Sequence, residues 1–330
     1  MKIMRGKLPF IIASVLLFSA FILSLLLGST KIPLCDFFRA IFGKGDSTVT
    51  AILLYIRMPR AIASVLAGAA LAVSGVVIQA TLGNKLASPS LIGVNAGAGL
   101  GVTICCAVGA YGGAAIAGAS FLGAILAMLL VTAFARHLGA SRASVILAGV
   151  ALSAFLGAIS DSVLAVKPDI TALSQDFKVG DFSGVSYQRL IPAAIVILVC
   201  LVITLMLSVE LDVISLGEES AGGVGLSVKR TMAIFLILAS LLAGAAVSFS
   251  GLLGFVGLIV PHFCRYLVGE SNKKMLPLSA LLGGALVCFS DLIARILFAP
   301  YEIPVGVVTA FIGAPAFVCI IVKRGRRMYD

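Results

Sequence analysis

Apolar runs long enough to cross a bilayer recur along this chain, and that feature excludes most folds. A helix needs about 20 apolar residues to traverse the hydrocarbon layer. Candidate runs lie at 8–28, 61–81, 92–110, 114–135, 143–166, 190–208, 231–249, 251–268, 276–297 and 303–322. Composition agrees, with 61% hydrophobic residues, 12% charged residues and a mean hydropathy of +1.18 over 330 residues. A soluble domain carries about half apolar and about a quarter charged residues, because a surface helix needs only one apolar face. The expectation is an all-α, polytopic integral membrane protein of about ten transmembrane helices, with lipid as its first partner. The boundaries are weakest at Tyr111–Gly113 and at Ser250. The eighth run is short and interrupted by Gly254, Gly257 and Pro261. The first run follows Lys2, Arg5 and Lys7 and extends from Leu8 to Gly28. It is longer than a typical signal-peptide core and no small-x-small cleavage site follows, so it reads as a retained span.

Charge sets the orientation. With the N-terminus in the cytoplasm and the runs alternating, fifteen of the 24 Lys and Arg fall inside and nine outside. An inside excess is the expected bias. An even number of spans also returns the basic tail KRGRR (323–327) to the cytoplasm, so both termini are expected there. The net charge of +10 is then a topology signal rather than a nucleic-acid footprint, which would need a basic soluble face. Small residues fall where helices must touch: Gly93, Gly97 and Gly101 are four apart, as are Ser64, Gly68 and Ala72, a spacing that lets backbones approach in lipid.

Little in the chain suggests chemistry. The seven cysteines are scattered, there is no CxxC or HExxH, and only two histidines occur, so no metal-ligand spacing and no cofactor is read. Asp161 lies inside the fifth run but six residues before Lys167, which suits an interfacial acid better than a pathway residue. His262, after Pro261, reads as structural. The stretch LGEESAGGVGL (216–226) sets two carboxylates beside a glycine cluster. It lacks the lysine and hydroxyl of a phosphate-binding GxxxxGK[ST] loop, and its polar flanks offer no cleft to desolvate a catalytic acid. Short amphipathic helices joined by glycine are expected, with Leu216, Val224 and Leu226 apolar.

The ordered motifs RMPRAIASVLAGAALAVSGVVIQ (57–79), SPSLIGVNAGAGLG (88–101), LAGVALSAF (147–155), LGEESAGGVGL (216–226), GFVGLIVPHFCR (254–265) and DLIARILFAPYEIPVGVVTAFIGAPAF (291–317) resemble the FecCD-type permease subunits of ABC importers for iron-siderophore complexes, haem and cobalamin. The likeness runs from about residue 55 to 324. It implies one transmembrane permease domain over 1–330 and a second permease subunit, identical or paralogous. It also implies two cytoplasmic ATPases, an external solute-binding protein and a place in a bacterial or archaeal cytoplasmic membrane. ATP hydrolysis would belong to the ATPases, so the chain itself is not expected to be an enzyme. Siderophore is the substrate expected first, with haem or cobalamin as alternatives.

Roles follow by position from that resemblance. Arg57, Arg60 and Arg295 would pair at the outer face with acids of the binding protein, for which arginine offers a bidentate fork. Leu216, Gly217, Glu218, Glu219, Ala221, Gly225 and Leu226, within a coupling segment of about 209–230, would engage the ATPase. Asn84 and Leu86 in NKLASP (84–89), with Ala140 and Ser141, would be gate candidates. Departures from the family pattern are Val224 for leucine, Lys85 for proline and Tyr187 for tryptophan. The rival classes are an ion-coupled secondary transporter, which tends to carry broken helices and charge at mid-membrane, and an intramembrane enzyme, which needs a reactive constellation.

Overall fold

The computed structural model describes residues 6–28, 39, 47–137 and 142–326. Among these, all regular structure is helical. In chain order the elements are α1 (Leu8–Leu26), α2 (Ser47–Leu82), α3 (Val94–Ala107), α4 (Gly113–His137), α5 (Arg142–Val166), α6 (Thr171–Val179), α7 (Tyr187–Met206), α8 (Ser208–Ser215), α9 (Glu218–Gly223), α10 (Val228–Ser250), α11 (Val256–Val268), α12 (Asn272–Ile296) and α13 (Val305–Arg326). Within α2, the π-helical turn Ile52–Arg57 precedes Pro59, a residue that cannot donate to a regular ladder.

Each expected apolar run coincides with a helix, but the helices are unequal. Among the described residues, seven are long and apolar enough to cross a membrane: α1, α2, α4, α5, α7, α10 and α12. The other three apolar helices, α3, α11 and the Val305–Cys319 part of α13, are shorter. The runs expected at 92–110 and 251–268 are therefore not continuous span-length helices. A 3₁₀ turn at Pro89–Ile92 and left-handed Gly93 precede α3. Before α11, Leu252 N–H donates to the Phe177 carbonyl, and Asp181 N–H donates to that of Ser250. These two bonds hold the end of α10 and residues 251–252, which leave helical geometry, against the end of α6. Phe255 then starts α11 from the left-handed region, with φ 65°.

The centre of the bundle is α2, which packs against α12, α10, α11 and α1. In the apolar windows of α2 and α10, 83% and 78% of residues are buried, against 28–33% in α1, α4, α5 and α7, so the latter four form the outer rim of the bundle. Small residues set these contacts. A Cβ on Gly68 would strike the Gly283 carbonyl of α12, one on Gly75 the Gly257 carbonyl of α11, and one on Gly97 the Gly123 carbonyl of α4. Such approach lets dispersion and close packing hold helices together where lipid supplies no hydrophobic drive.

Candidate functional site

Two polar clusters stand at opposite ends of α2. Arg57 and Arg60 lie in the first half of this helix, which runs from Ser47 to Leu82, and Gly83 lies just past its end, so the intervening helix separates them by about 35–40 Å at 1.5 Å per residue.

At the first end the three arginines predicted for docking come together, and all three are buried, at 3%, 5% and 3% exposure. Arg60 Nε donates to Asp291 Oδ1 at 2.8 Å and its Nη1 to Glu302 Oε2 at 2.7 Å. Asp181 Oδ1 lies 3.8 Å from Arg60 Nη2. Arg295, one turn beyond Asp291 on α12, pairs with Asp291 Oδ2 at 3.1 Å and donates to Ser24 Oγ at 2.6 Å. Arg57 Nη1 donates to the carbonyls of Leu25 and Leu26, both at 2.8 Å. Those carbonyls lie at the C-terminal end of α1, where the last turn has no helical donors. Arginines held this way tie α1, α2, α12 and the segment before α13 into one network. Asp291 is fully buried, whereas the Glu302 side chain is 29% exposed. Tyr187 Oη donates to the Leu54 carbonyl at 2.9 Å nearby. Asp161 is exposed and faces Lys178 at 3.6 Å.

At the second end the segment LGEESAGGVGL is mostly surface. Gly217, at φ 116°, turns the chain between α8 and α9, a conformation that costs glycine little and other residues much. Ala221 is buried and anchors α9. Leu216 and Val224 are exposed at 72% and 73%, and Glu218 and Glu219 are exposed beside them. Leu226 turns inward against the core, so of the three apolar residues expected on one face only Leu216 and Val224 are exposed. Asp212 Oδ1 accepts from Asn272 N–H at 2.7 Å and so caps the first turn of α12.

The gate candidates Asn84 and Leu86 form a tight turn directly after α2, with Leu86 N–H donating to Asn84 Oδ1 at 2.9 Å. Lys85 bridges to Glu270. Its hydrogen bond holds the Glu270 carboxyl below the usual carboxylate range. Ala140 and Ser141 lie outside the described residues.

Sequence reasoning missed Asp291, Glu302, Asp181 and Arg142. Asp291 and Arg295 stand four apart in the otherwise uncharged second half of α12, a visible ion-pair spacing. Arg60 and Glu302 are 242 positions apart, and no local pattern joins them.

Comparisons with known proteins agree with this architecture. The model of the FecCD transport family matches residues 16–323. The ferric enterobactin transport system permease protein FepD of Escherichia coli is 36% identical, covering 94% of each chain. The Fe(3+)-citrate import system permease protein YfmD of Bacillus subtilis is 34% identical over 97% of this chain and 95% of its own. The cobalamin import system permease protein BtuC of Halobacterium salinarum is 36% identical over 84% and 75%. Among solved structures, a chain assigned to the metal-chelate type of ABC transporter, in an inward-facing conformation, superposes with a TM-score of 0.87. That chain is 28% identical and the match covers 96% of this chain and 99% of that one. This chain is a multi-pass membrane protein and belongs to the FecCD transport family, as a permease of an ABC importer.

Proposed function

We propose that the chain carries ferric siderophore across a bacterial or archaeal cytoplasmic membrane, paired with a second permease subunit. An external binding protein delivers the substrate and two cytoplasmic ATPases drive the cycle. Family membership brings ATPase and binding-protein partners. The siderophore assignment follows relatives named for enterobactin and citrate iron import. The observation that carries the coupling role is the exposed α8–α9 segment. Glu218 and Glu219 are exposed there in the same segment as solvent-facing Leu216 and Val224, at the end of α2 away from the arginine cluster. Apolar and acidic side chains exposed on one short segment suit a protein partner that offers a groove with basic groups.

The arginine cluster supports docking by exchange. In this arrangement Glu302 occupies Arg60, and a carboxylate of the binding protein would take its place. A second substrate reading is cobalamin, favoured by the Halobacterium relative; haem is the third. Uptake of labelled ferric siderophore, cobalamin and haem by a strain deleted for this chain tests the assignment. The expected result is loss of ferric siderophore uptake alone, restored by the chain in trans. Loss of cobalamin or haem uptake instead would overturn it.

A further inference from the structure

Arg142, the first residue of α5, touches three separate elements. Its Nη2 donates to the Ile214 carbonyl at 2.6 Å, in the last turn of α8, where carbonyls lack helical donors and the helix dipole favours a cation. Its Nε faces Glu218 Oε1, at the start of α9, from 3.7 Å. That nitrogen is buried and makes no hydrogen bond, so the contact is short of closure by less than 1 Å. Its Nη1 lies against Gly83, the left-handed residue that ends α2, so closely that a Cβ there would collide with it. Asn84 and Leu86 follow Gly83 directly, and Ala140 and Ser141 precede Arg142 in the chain.

We propose that Arg142 is the positioning residue that transmits movement of the α8–α9 segment to α5 and to the turn after α2. This rests on the importer reading above. One guanidinium grips α8 and faces α9 across the Gly217 turn, and it is wedged on the glycine that opens the gate-candidate turn. A push on α9 brings Glu218 toward or away from Nε while the Ile214 bond keeps α8 and α5 in step. The planar fork matters here, because a single ammonium can serve one of these contacts but not all three.

The test uses the permease reconstituted in proteoliposomes with its ATPase and binding protein. Arg142→Ala should leave assembly and ATP hydrolysis in place but lower transport per ATP by at least about fivefold, a typical coupling factor. Arg142→Lys should recover part of that loss. A merely structural role would lower thermal stability and leave the ratio unchanged, and an unchanged ratio overturns the proposal. Should Arg142→Ala not assemble, spin labels at exposed Ala143 and Ser215 in the otherwise native chain decide. Their separation should hold between nucleotide-free and ATP-bound states while the Ala143 to Tyr301 separation changes. A change in the Ala143 to Ser215 separation overturns the link. A native chain that assembles with no ATPase would instead remove the importer reading itself, and the link with it.

Discussion

Arg60 illustrates how a residue can be legible in kind and illegible in setting. Its place beside Pro59 at one end of an apolar run marks it as a membrane-end arginine. Nothing near it in the chain announces Asp291 or Glu302, which it meets across more than 230 positions. The two acids differ in consequence. Asp291 is shared by Arg60 and Arg295 and is wholly buried. Asp291→Asn would leave two buried guanidiniums short of countercharge, which costs about 3–5 kcal/mol when one partner of a buried pair is removed; the readout is loss of monodisperse protein in detergent. Glu302 sits at the rim. Glu302→Gln should keep the fold and leave Arg60 Nη1 with a weaker acceptor. Docking by exchange then predicts binding-protein affinity several-fold higher at low salt, by surface plasmon resonance on nanodiscs. Unchanged or weaker affinity would show that Arg60 serves only to hold the bundle.

At the scale of elements, the hydropathy runs locate the helices because bilayer crossing imposes both length and composition. They fail where tertiary hydrogen bonds intervene. The run 251–268 is apolar throughout its first residues, yet α11 starts only at Val256. The glycines of 251–255 mark a weak point, with Gly251 at φ 65°, but the pairing of Leu252 with Phe177, which no local pattern encodes, decides where α11 starts. The four-residue spacing of Gly97 and Gly101 does locate a close crossing, against Gly123 and Ala119 of α4. Gly93 was expected on the same face but precedes α3 as its left-handed start. The tightest test of such a crossing is Gly68, which with Gly283 sets the contact of α2 with α12. Gly68→Leu cannot be absorbed there, because the opposing atoms are backbone rather than flexible side chain. Overpacking of this kind costs about 1–3 kcal/mol or more. The expected result is a fall in detergent melting temperature, and Gly99→Ala, which opens onto free space, should show none.

Across the whole molecule, α12 joins the two polar ends. Asp212 of α8 caps its first turn, and its last turns carry Asp291 and Arg295. Displacement of α8 is therefore felt along one helix that reaches the arginine cluster, while Arg142 carries the same displacement to α5 and the turn after α2. The secondary-transporter alternative needs charge at mid-membrane. The Arg60–Asp291 ion pair is instead built into one end of the bundle, balanced by Arg295 and Glu302. In the importer reading the α8–α9 surface receives the ATP-derived work, so reversing its charge should disconnect the chain from its motor. Glu218→Lys with Glu219→Lys puts two cations beside Leu216 and Val224, one of them where Arg142 Nε now faces a carboxylate at 3.7 Å. The variant should insert and fold, since both glutamates are exposed and surface substitutions rarely cost more than about 0.5 kcal/mol. It should nonetheless lose ATPase co-purification, or retain it and transport no substrate. Normal co-purification together with normal transport would show that the ATPase grips the permease elsewhere.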